Sequence, residues 1–444
     1  MKIDLNEKFK QALDLMENTT KHILVTGKAG TGKSTLLNYF RNHTKKNIVV
    51  LAPTGVAAVN VKGVTIHSFF KFKPDISVNK ISKVKNDKIY KVLDAIIIDE
   101  ISMVRADLMD CIDKFMRLNG KDQNKPFGGV QMIFFGDLYQ LPPVVRRKER
   151  EIFLKNYKSS YFFDSKVFEK IELEFVELEK VYRQKNEDFI KILNSIRNNC
   201  FTEEVIKKIN SRLLPDFEED PNEFYITLTS TKKSADQINE KNLSLLKGKL
   251  FEYIGIIKGE FPESYLPVEK NLKIKIGAQV MMLNNDGYGR WINGSIGKIV
   301  DIIKRESEND IIMVELSDGK IYEITPYTWD IYEAYFDEHK QSIEYQTVGS
   351  FTQYPMKLAW AITIHKSQGK TFDKVIIDIG KGAFAHGQTY VALSRCTSLE
   401  GIVLKRPISK KDIIVDQKIT EFLTKLKYSI SERRLTLESK IENN

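Results

Sequence analysis

The sequence predicts an α/β protein with two parallel-sheet domains, the second of which is interrupted by a small β-rich insert. Two observations support this fold class. Short apolar runs alternate with helical patterns from 21 to about 180, and the alternation resumes at 224–246 and again from 374. Between about 250 and 350, short strands follow one another without helices. Alternating strands and helices are typical of parallel sheets, whereas consecutive strands joined by tight turns are typical of antiparallel modules.

The first domain is predicted to span residues 1–180. Its apolar runs are HILVTG, NIVVLAP, AIIIDE, VQMIFFGD and EFVELEK, and a helical pattern follows each of the first three. Ligands of such sheets bind at the carboxyl ends of the strands, so we expect the functional residues there. A lysine-rich stretch at about 70–92 interrupts the pattern. It predicts a small insertion, which is either a projecting arm or simply a solvated surface.

The second domain is predicted to comprise 181–250 and 351–444. Its runs are FYITLTS, KVIIDIG, TYVALSRC and GIVLKRP, and the tail after Lys410 has an amphipathic helical pattern. The insert, 251–350, contains GAQVMML and GKIVDII, and the segment IIMVELSDGKIYEIT reads as two strands joined at Asp318-Gly319. An Asp-Gly pair between β-rich runs is a hairpin signal. The insert therefore predicts a small β-barrel-like module.

Composition narrows the class of protein. The 444 residues are 42% hydrophobic, which is enough apolar mass for more than one core. Lys and Arg number 69 against 59 Asp and Glu, and the net charge of +10 suits a polyanionic partner without specifying one. Three widely spaced cysteines favour neither a disulfide framework nor a zinc site. No stretch suits a signal peptide or a membrane span, so we expect a cytoplasmic protein.

Residues 27–34 read GKAGTGKS, a complete GxxxxGK[ST] loop between a predicted strand and a predicted helix. Glycines let such a loop wrap its N–H groups around phosphates at a helix N-terminus. Lys33 is expected to reach the β and γ phosphates, and Ser34 to supply an oxygen to Mg²⁺. The loop therefore predicts ATP and Mg²⁺ as cofactors. The residues expected around the nucleotide are Gly27, Ala29, Gly30, Thr31, Gly32, Lys33, Ser34 and Thr35.

Polar residues at the ends of two further strands complete this site. Asp99 and Glu100 end the run AIIIDE. Asp99 suits the coordination of Mg²⁺, and Glu100 suits a base that orients and deprotonates the attacking water. Gln140 follows VQMIFFGD, where its amide can contact the γ phosphate or the water. Acids at strand ends also occur as plain helix caps, but together with the phosphate loop they predict hydrolysis.

Two stretches of the first domain are suited to nucleic-acid contacts. APTGVAA follows a strand, so its N–H groups and hydroxyl lie at a helix start and can meet a backbone phosphate. TIHSFF offers hydroxyls and an imidazole, and a base stacked on Phe69 would contribute ~1–3 kcal/mol. The alternative for Phe69 and Phe70 is a place in the core. The predicted contacts are Thr54, Gly55, Thr65, His67, Ser68 and Phe69.

A second candidate contact is TIHKSQG, which combines hydroxyl, imidazole and ammonium groups within five residues. This mixture suits phosphate and sugar contacts that do not read sequence. The predicted nucleic-acid contacts are Thr363, His365, Lys366 and Ser367. Gln368 and Gly369 are expected to face the nucleotide, so that one loop would couple the two ligands.

Together with VYRQ, ISMVRADLMDCID, WINGSIGKIV and GQTYVALSRCTSLEGI, these motifs closely resemble the petite integration frequency (Pif) family of superfamily-one DNA helicases, over residues 21–407. The resemblance implies two RecA-like domains with ATP between them, an SH3-like insert, and single-stranded DNA running across both domains. It implies movement in the 5′ to 3′ direction and unwinding of duplex or forked DNA, with 70–92 as a wedge. It further implies that Arg183 and Arg395 reach the γ phosphate, where a guanidinium stabilises developing charge. We expect a monomer, associated with the nucleoid if the source is bacterial.

The N-terminus departs from the pattern that this resemblance implies. Such families usually carry an adenine-reading Gln in a Leu-Asn-Glu context, but here 5–7 is followed by Lys8 and Phe9. Gln11 takes this role in our interpretation, which leaves purine selectivity open.

Two alternatives to a helicase remain at this point. One is a RecD-like ATPase that moves on DNA or RNA but unwinds weakly, and the other is a non-catalytic nucleic-acid-binding scaffold. A relic nucleotide site has no need to keep the hydrolytic residues together, which argues against the scaffold. The set that is kept comprises Lys33, Asp99, Glu100, Gln140, Arg183 and Arg395.

Overall fold

The chain forms two compact units in a computed structural model. The residues that the structure describes are 5–73, 75–145, 149–182, 184, 186–220 and 223–442, without the side chains of 152 and 433–442. The first unit comprises Met1–Tyr182, Ile331–Val348 and Asp416–Asn444, and the second comprises Arg183–Asp330 and Gly349–Val415.

The first unit is built on a six-stranded sheet. Its strands are β1 (His22–Gly27), β2 (Ile48–Ala52), β3 (Val64–Thr65), β4 (Ala95–Ile98), β5 (Gln131–Phe135) and β6 (Leu173–Leu178). They lie in the order β3-β2-β4-β5-β1-β6, and every pair is parallel. β4 and β5 are buried along their whole length, as expected for strands covered on both faces. Because the sheet is parallel, all six carboxyl ends lie on one edge, which confirms the predicted fold class for this part of the chain.

Within the described residues, seven α-helices of the first unit precede β6. They are α1 (Glu7–Asn18), α2 (Lys33–His43), α3 (Gly55–Asn60), α4 (Ile66–Phe69), α5 (Lys88–Val92), α6 (Ala106–Asn119) and α7 (Arg150–Asn156). Asn6 caps α1 by accepting a hydrogen bond from the N–H of Phe9 at 3.0 Å. Phe9 of α1 and Phe40 of α2 belong to the same buried core as β1 and β5. This packing fixes both helices beside the carboxyl edge of the sheet.

The lysine-rich stretch at 70–92 is anchored by aromatic side chains. Phe70 and Tyr90 are buried, and their ring centroids lie 5.2 Å and 4.8 Å from that of Phe115 on α6. The hydroxyl of Tyr90 donates to the carbonyl of Phe69 at 2.9 Å. The lysines of the stretch point outward, so the insertion has an apolar base and a solvated, basic outer face.

The second unit contains fourteen strands within the described residues. They are β7 (Ile226–Thr229), β8 (Phe251–Ile254), β9 (Ile256–Gly259), β10 (Asn271–Ile274), β11 (Gln279–Met282), β12 (Ile296–Ile303), β13 (Ile311–Leu316), β14 (Ile321–Ile324), β15 (Tyr327–Asp337), β16 (Ser342–Gln353), β17 (Met356–Leu358), β18 (Ala361–Thr363), β19 (Val375–Asp378) and β20 (Ile402–Leu404). Four of them form a parallel sheet in the order β18-β7-β19-β20, as the alternating pattern predicts. The outer part of the β15–β16 hairpin, 331–348, is assigned to the first unit.

The remaining strands form the β-rich insert. Five of them make an antiparallel sheet in the order β14-β13-β12-β11-β17, β8 pairs with β10, and β9 joins β15 and β16. β13 and β14 are joined at Asp318-Gly319, where Gly319 has φ +76°, so the predicted hairpin is confirmed. Trp291 and Trp360 lie in the buried core of this sheet, which makes the insert a packed module rather than a loose loop.

Five helices complete the structure. They are α8 (Glu187–Arg197), α9 (Glu203–Asn210), α10 (Lys232–Leu245), α11 (Gln388–Leu393) and α12 (Gln417–Glu442). The sequence assigned the tail to the second domain, whereas the structure places Asp416–Asn444 in the first unit. The physical reason is aromatic packing, because Phe422 stacks on Phe163 at 4.2 Å between ring centroids. The other predicted domain boundaries stay a prediction. Within the described residues, no helix has the length and apolarity needed to cross a membrane.

Candidate functional site

The phosphate loop lies between β1 and α2, at the carboxyl edge of the sheet, where β1 is flanked by β5 and β6. Gly30 and Gly32 have φ values of +79° and +85°, a region that favours glycine. A Cβ on Gly27 would lie 2.5 Å from Oγ1 of Thr31 and 2.7 Å from the carbonyl oxygen of Leu178. The loop is therefore wound so tightly that its glycines are structural requirements, and its N–H groups are available to cradle phosphates.

Lys33, at the first position of α2, folds back over this loop. Its Nζ donates to the carbonyl oxygens of Gly27 at 2.7 Å and Lys28 at 3.0 Å. Ser34 and Thr35 are exposed on the first turn of the same helix, while Ala29 and Thr31 are buried within the loop. The ammonium thus lies over the place where the motif predicts phosphates, and the hydroxyls of the helix point to solvent.

Aromatic side chains flank the loop on the side of α1. A Cβ on Gly32 would lie 3.1 Å from the ring of Phe9 and 3.8 Å from the ring of Tyr182. The N–H of Tyr182 donates to the carbonyl of Gly30 at 2.8 Å, and its hydroxyl accepts from Nδ2 of Asn6 at 3.2 Å. Sequence reasoning missed Phe9, Tyr182 and Asn6 as neighbours of the nucleotide site. The Leu-Asn-Glu context at 5–7 is the signal that could have found them, because it contains Asn6, which caps α1 and bonds to Tyr182.

Gln11 lies half-buried on α1, one turn beyond Asn6. Gln11 is two residues beyond Phe9, so the two side chains lie on different faces of the helix. The adenine-reading role of Gln11 stays a prediction.

The two acids of AIIIDE lie at the carboxyl end of β4, separated from β1 by β5. Burial raises the pKa of the Asp99 carboxyl above its ordinary value, while the N–H of Glu100 and the charge of Lys33 act in the opposite direction. Glu100 has φ +49° and ψ +44°, a left-handed conformation that is uncommon for a residue with a side chain. Such strain concentrates at functional positions, which agrees with the role expected for Glu100.

Gln140 follows β5 and faces Asp137. Its Nε2 donates to Oδ2 of Asp137 at 3.3 Å, and its N–H donates to the carbonyl of the same residue at 3.0 Å. A Cβ on Gly136 would lie 2.9 Å from Cγ2 of Ile101, so the glycine lets the end of β5 approach the residue that follows Glu100. The sheet edge thus brings together the loop, the two acids and the amide, as the sequence predicts.

This arrangement fits a magnesium ion bound with a nucleotide. Within the described residues, no three His, Cys, Asp or Glu side chains are grouped as a metal cage. Mg²⁺ does not need one, since it commonly binds through one or two protein oxygens together with phosphates and water. Asp99 offers a buried carboxylate whose nearest cation is Lys33, and Ser34 offers an exposed hydroxyl at a helix start.

The first predicted nucleic-acid stretch forms the start of α3. Thr54 is exposed, and its Oγ1 accepts from the N–H of Ala57 at 3.3 Å. The hydroxyl is therefore a helix cap, and Gly55 behind it is buried. The exposed N-terminus of a helix at the sheet edge keeps its donors available for a phosphate.

TIHSFF forms β3 and α4, and the structure separates its residues by exposure. Thr65 is buried, and its Oγ1 accepts from the N–H of Ser68 at 3.1 Å, whereas Ser68 itself is exposed. His67 is half-buried, and burial lowers the pKa of its imidazole, opposed by the charge of Asp107. Phe69 was predicted to stack on a base. It is 6% exposed, and its ring meets those of Phe70 and Tyr90, so its faces belong to the core instead.

TIHKSQG follows β18 of the second unit, and its residues likewise differ in their exposure to solvent. His365, Lys366 and Gly369 are exposed, and Gln368 is half-buried. Thr363 is 8% exposed and caps the turn by accepting from the N–H of Lys366 at 3.2 Å. Ser367 was predicted to contact nucleic acid, but it is 0% exposed and donates to the carbonyl of Ile364 at 2.7 Å. Its hydroxyl forms a hydrogen bond within the turn, as Ser and Thr hydroxyls often do.

Arg395 was expected to reach the γ phosphate, and in this structure its side chain is completely buried. Its Nε donates to the carbonyl of Val391 at 3.0 Å, and Nη1 donates to those of Lys370 at 3.2 Å and Ser367 at 3.4 Å. The guanidinium therefore supports the TIHKSQG loop from beneath. The neighbouring side chain of Gln184 donates to the carbonyls of Ser394 and Cys396, both at 3.1 Å. Arg183 lies outside the described residues, and its role stays a prediction.

Comparisons with known proteins agree with this geometry. Residues 4–207 match a family described as PIF1-like helicase. The chain is 32% identical to the ATP-dependent DNA helicase Pif1 of Bdellovibrio bacteriovorus over 433 residues, which cover 95% of this chain and 92% of that protein.

Solved structures of a Bacteroides Pif1 are similar as well. The crystal structure in complex with ADP-AlF4 is 37% identical, covers 96% of this chain and 98% of the other, and has a TM-score of 0.88. The same protein bound to ssDNA, at 37% identity and the same coverage, has a TM-score of 0.68. The fold described above is thus shared over nearly the full length of both chains.

Proposed function

This chain belongs to the PIF1-like helicase family and is an ATP-dependent DNA helicase, and from this premise we propose that it moves 5′ to 3′ on single-stranded DNA with Mg²⁺ bound beside ATP. The observation that carries the proposal is the edge of the first sheet. There a tightly wound loop follows β1, and a carboxylate with a raised pKa and a strained glutamate follow β4, which is separated from β1 by one strand of the same sheet. That constellation holds, orients and hydrolyses a triphosphate.

The residues at this edge of the sheet have separate roles in ATP hydrolysis. Lys33 exchanges the carbonyls of Gly27 and Lys28 for the β and γ phosphates, which are stronger acceptors for an ammonium. Glu100 accepts the proton of the attacking water, and Gln140 orients that water by its amide. Asp99 and Ser34 hold the metal ion, which when bound neutralises phosphate charge. Tyr182, which is exposed beside the loop, provides a ring face for the base, with Gln11 as its reader.

Arg395 and Arg183 are proposed to stabilise the transition state. Arg395 is bonded to the carbonyls of Ser367 and Lys370, so it reaches a phosphate only when the TIHKSQG loop rearranges. The exposed side chains of that loop, His365 and Lys366, are proposed DNA contacts. DNA on the loop and phosphate at Arg395 would then favour the same rearrangement, which is the coupling that a motor requires.

The DNA substrates are proposed from the relatives. A Bacteroides Pif1 structure is bound to ssDNA, and a further similar structure concerns DNA unwinding at forked dsDNA by two coordinating Pif1 helicases. We propose that this chain likewise binds single strands and unwinds forks, that the monomer is the translocating unit, and that it acts in the nucleoid if its source is bacterial. Thr54, Gly55, His67 and Ser68 are the proposed contacts of the first unit, with Thr65 as a support.

Duplexes with one single-stranded tail test the proposed direction. With ATP and Mg²⁺, we expect rapid strand separation of a duplex with a 5′ tail and little separation of one with a 3′ tail. The reverse preference would contradict the proposed direction. A chain that hydrolyses ATP on DNA but separates neither duplex would instead be a translocase that unwinds weakly.

A further inference from the structure

The side chain of Asn6 has one local partner and one distant partner. Its Oδ1 accepts from the N–H of Phe9 at 3.0 Å, which caps α1. Because an N–H bonds to the amide oxygen, the amide nitrogen is the atom that faces the other way. This Nδ2 donates to the hydroxyl of Tyr182 at 3.2 Å, across 176 residues of chain. A helix cap needs only the oxygen, so the bond to Tyr182 is a second role.

Tyr182 is held at both of its ends. Its N–H donates to the carbonyl of Gly30 at 2.8 Å, which fixes its backbone to the phosphate loop. Its hydroxyl, at the far end of the side chain, accepts from Asn6. Between these two bonds, Cε2 of the ring lies 3.8 Å from the position that a Cβ on Gly32 would take. The ring is therefore set beside the loop that receives the phosphates.

The two faces of the Tyr182 ring differ in their surroundings. Nζ of Lys180 lies over the ring, 5.3 Å from its centroid, which is within the range of a cation–π contact. Tyr182 is nevertheless 45% exposed. A planar base stacks on an exposed aromatic face whatever the identity of the base. The face opposite the ammonium of Lys180 is the one left for a base.

The bond from Asn6 selects one orientation of this ring. An exposed side chain exchanges between rotamers on a picosecond to nanosecond timescale, so the backbone bond to Gly30 alone does not fix the ring. The bond between Asn6 and Tyr182 is itself exposed to solvent, so it contributes little to the stability of the fold. Its effect is to order the ring before the base arrives. Ordering one side chain in advance strengthens binding by about 2- to 10-fold.

We propose that Asn6 is a positioning residue for the nucleotide: its amide holds the ring of Tyr182 beside the phosphate loop, and the ring stacks on the base. The inference rests on the proposed function, which places the base on Tyr182. Asn6 acts through Tyr182 and does not read the base itself. The Leu-Asn-Glu context at 5–7, which lacks the expected glutamine, thus contributes to nucleotide binding by positioning an aromatic ring.

Two other roles for Asn6 predict different behaviour. A plain helix cap would stabilise α1, and nucleotide binding would stay unchanged when another capping residue replaces it. A direct reader of the base would distinguish adenine from guanine by hydrogen bonds. A positioned ring instead favours both bases equally, because stacking uses the face that every base has. Affinity and base preference therefore separate the three roles.

Two single variants remove the bond from its two ends. In Asn6→Ser, the shorter hydroxyl still caps the helix but cannot reach Tyr182 while it does so. Tyr182→Phe keeps the ring and the cap and loses the same bond. Binding of ADP that carries a fluorescent group on its ribose is measured without DNA. Each variant is expected to bind this probe about 3- to 10-fold more weakly than wild type. Unchanged affinity in both would overturn the proposal.

The double variant tests whether Asn6 acts through Tyr182. Asn6→Ser and Tyr182→Phe remove one and the same hydrogen bond, so their effects on binding should not add. The variant with both changes is expected to bind the labelled ADP about as tightly as the weaker of the two single variants. Losses that multiply would show two independent effects and would overturn the positioning role.

A matched control exists at the start of α8. Asn186 caps that helix by accepting from the N–H of Phe189 at 3.0 Å, the same spacing and distance as at Asn6. Asn186→Ser is expected to bind the labelled ADP like wild type. Both serine variants keep a good cap, so each is expected to unfold within about 2 °C of wild type. If Asn6→Ser alone unfolded several degrees lower, its role would be structural and the proposal would be wrong.

Base preference distinguishes a positioned ring from a reader of the base. Unlabelled ADP and GDP are each used to displace the labelled ADP from wild type and from Asn6→Ser. Because stacking uses the face that both bases have, the variant is expected to lose affinity for ADP and GDP by the same factor. A change in the ratio of the two affinities would mean that Asn6 reads the base directly, and the positioning role would be wrong.

Steady-state hydrolysis with saturating DNA shows which step depends on Asn6. The KM for ATP is expected to rise in Asn6→Ser by about the same factor as the loss of binding, while kcat stays within about twofold of wild type. This result is typical of an interaction that is equally strong in the ground state and in the transition state. A lower kcat with an unchanged KM would place Asn6 at the reaction instead of the base, which contradicts the proposal.

Tyr182→Leu separates failure of this inference from failure of the proposed function. This variant removes the ring, so it is expected to bind the labelled ADP more weakly than Asn6→Ser does. If Tyr182→Leu binds like wild type, the base does not stack on Tyr182, and that part of the proposed function fails together with the inference. If Tyr182→Leu binds weakly while Asn6→Ser and Tyr182→Phe bind like wild type, only the inference fails.

Discussion

The two ligand loops of this protein, 27–34 and 363–370, are built in opposite ways. The first loop is shaped by backbone: its glycines adopt positive φ, and Lys33 lies over the loop's own carbonyls. At the second loop, by contrast, polar side chains of the loop and of the segment beneath it point away from solvent. Ser367 and Arg395 are both 0% exposed, and each donates to backbone carbonyls.

This difference between the two loops shows how far a sequence motif determines the geometry of ligand binding. A phosphate loop binds with N–H groups, so its sequence fixes its ligand geometry almost completely. A loop that must respond to two ligands needs alternative partners for its side chains. Arg395 has such partners in the carbonyls of Ser367 and Lys370, so reaching a phosphate requires the loop to change.

The largest effect is expected from Lys33→Ala. It removes the ammonium that lies over the phosphate loop, so ATP hydrolysis should fall by roughly 10³-fold or more. Binding of single-stranded DNA without nucleotide should stay within about twofold of wild type, because the lysine serves only the first loop. Hydrolysis and DNA affinity are measured on the same preparation, with circular dichroism to show that the variant is folded. If the folded variant lost both ATP hydrolysis and DNA affinity, the proposed difference in role between the two loops would be wrong.

Arg395→Lys should affect both ligands. The compact ammonium of lysine cannot span the carbonyls of Val391, Ser367 and Lys370 as the planar guanidinium does, so the TIHKSQG loop loses its support. We expect hydrolysis with DNA to fall by about 10²- to 10³-fold and DNA affinity to fall by about 3- to 10-fold. The measurement is hydrolysis with and without oligothymidylate, together with a binding curve. A variant that loses hydrolysis but binds DNA like wild type would show that the buried guanidinium does not support the loop.

Gly27→Ala should act on the nucleotide alone. Its Cβ would lie 2.5 Å from Oγ1 of Thr31 and 2.7 Å from the carbonyl of Leu178, so the loop must shift at a cost of about 1–3 kcal/mol. We expect the KM for ATP to rise roughly tenfold and the unfolding temperature to fall by a few degrees. Gly287→Ala is the control, because a Cβ there meets nothing within 4 Å. An unchanged KM for Gly27→Ala would mean that the backbone shape of the first loop is not what binds phosphate.

The smallest effect concerns pH and involves Lys357 on β17, whose pKa is lowered by burial and by lysines of the second loop. The pKa of Lys357 is lowered to about 7, with Lys370 and Lys366 adding to the effect of burial and Glu269 opposing it. The unfolded chain, with an ordinary lysine pKa, therefore holds more protons than the folded one above pH 7, so stability without DNA should rise with pH across the window above 7. Lys357→Met should flatten this trend, as measured by thermal unfolding at several pH values.

Much of the fold could be predicted from the sequence. The runs HILVTG, AIIIDE and VQMIFFGD became buried parallel strands, and the residues that follow them met on one sheet edge. This succeeded because buried strands and glycine turns are local features. The hairpin at Asp318-Gly319 is predictable for the same reason.

The sequence did not predict which side chains reach solvent. Phe69 is covered by Phe70 and Tyr90, and Tyr90 lies 21 residues further along the chain, so no local pattern reveals that contact. Arg395 is buried by carbonyls that lie 25 and 28 residues away. The tail joins the first unit because Phe422 finds Phe163 there. These contacts depend on packing between residues far apart in the chain. An amphipathic pattern predicts that one face of a helix is buried, but it does not identify the residues that the face packs against.

The rate of ATP hydrolysis with and without single-stranded DNA tests the central claim most directly. Because Arg395 is held by carbonyls of the TIHKSQG loop and of Lys370, the free protein should hydrolyse ATP slowly, and saturating oligothymidylate should raise kcat by about tenfold or more. A duplex without a single-stranded tail should stimulate much less. Hydrolysis at the full rate without DNA would contradict the account, because the two loops would then work independently of each other.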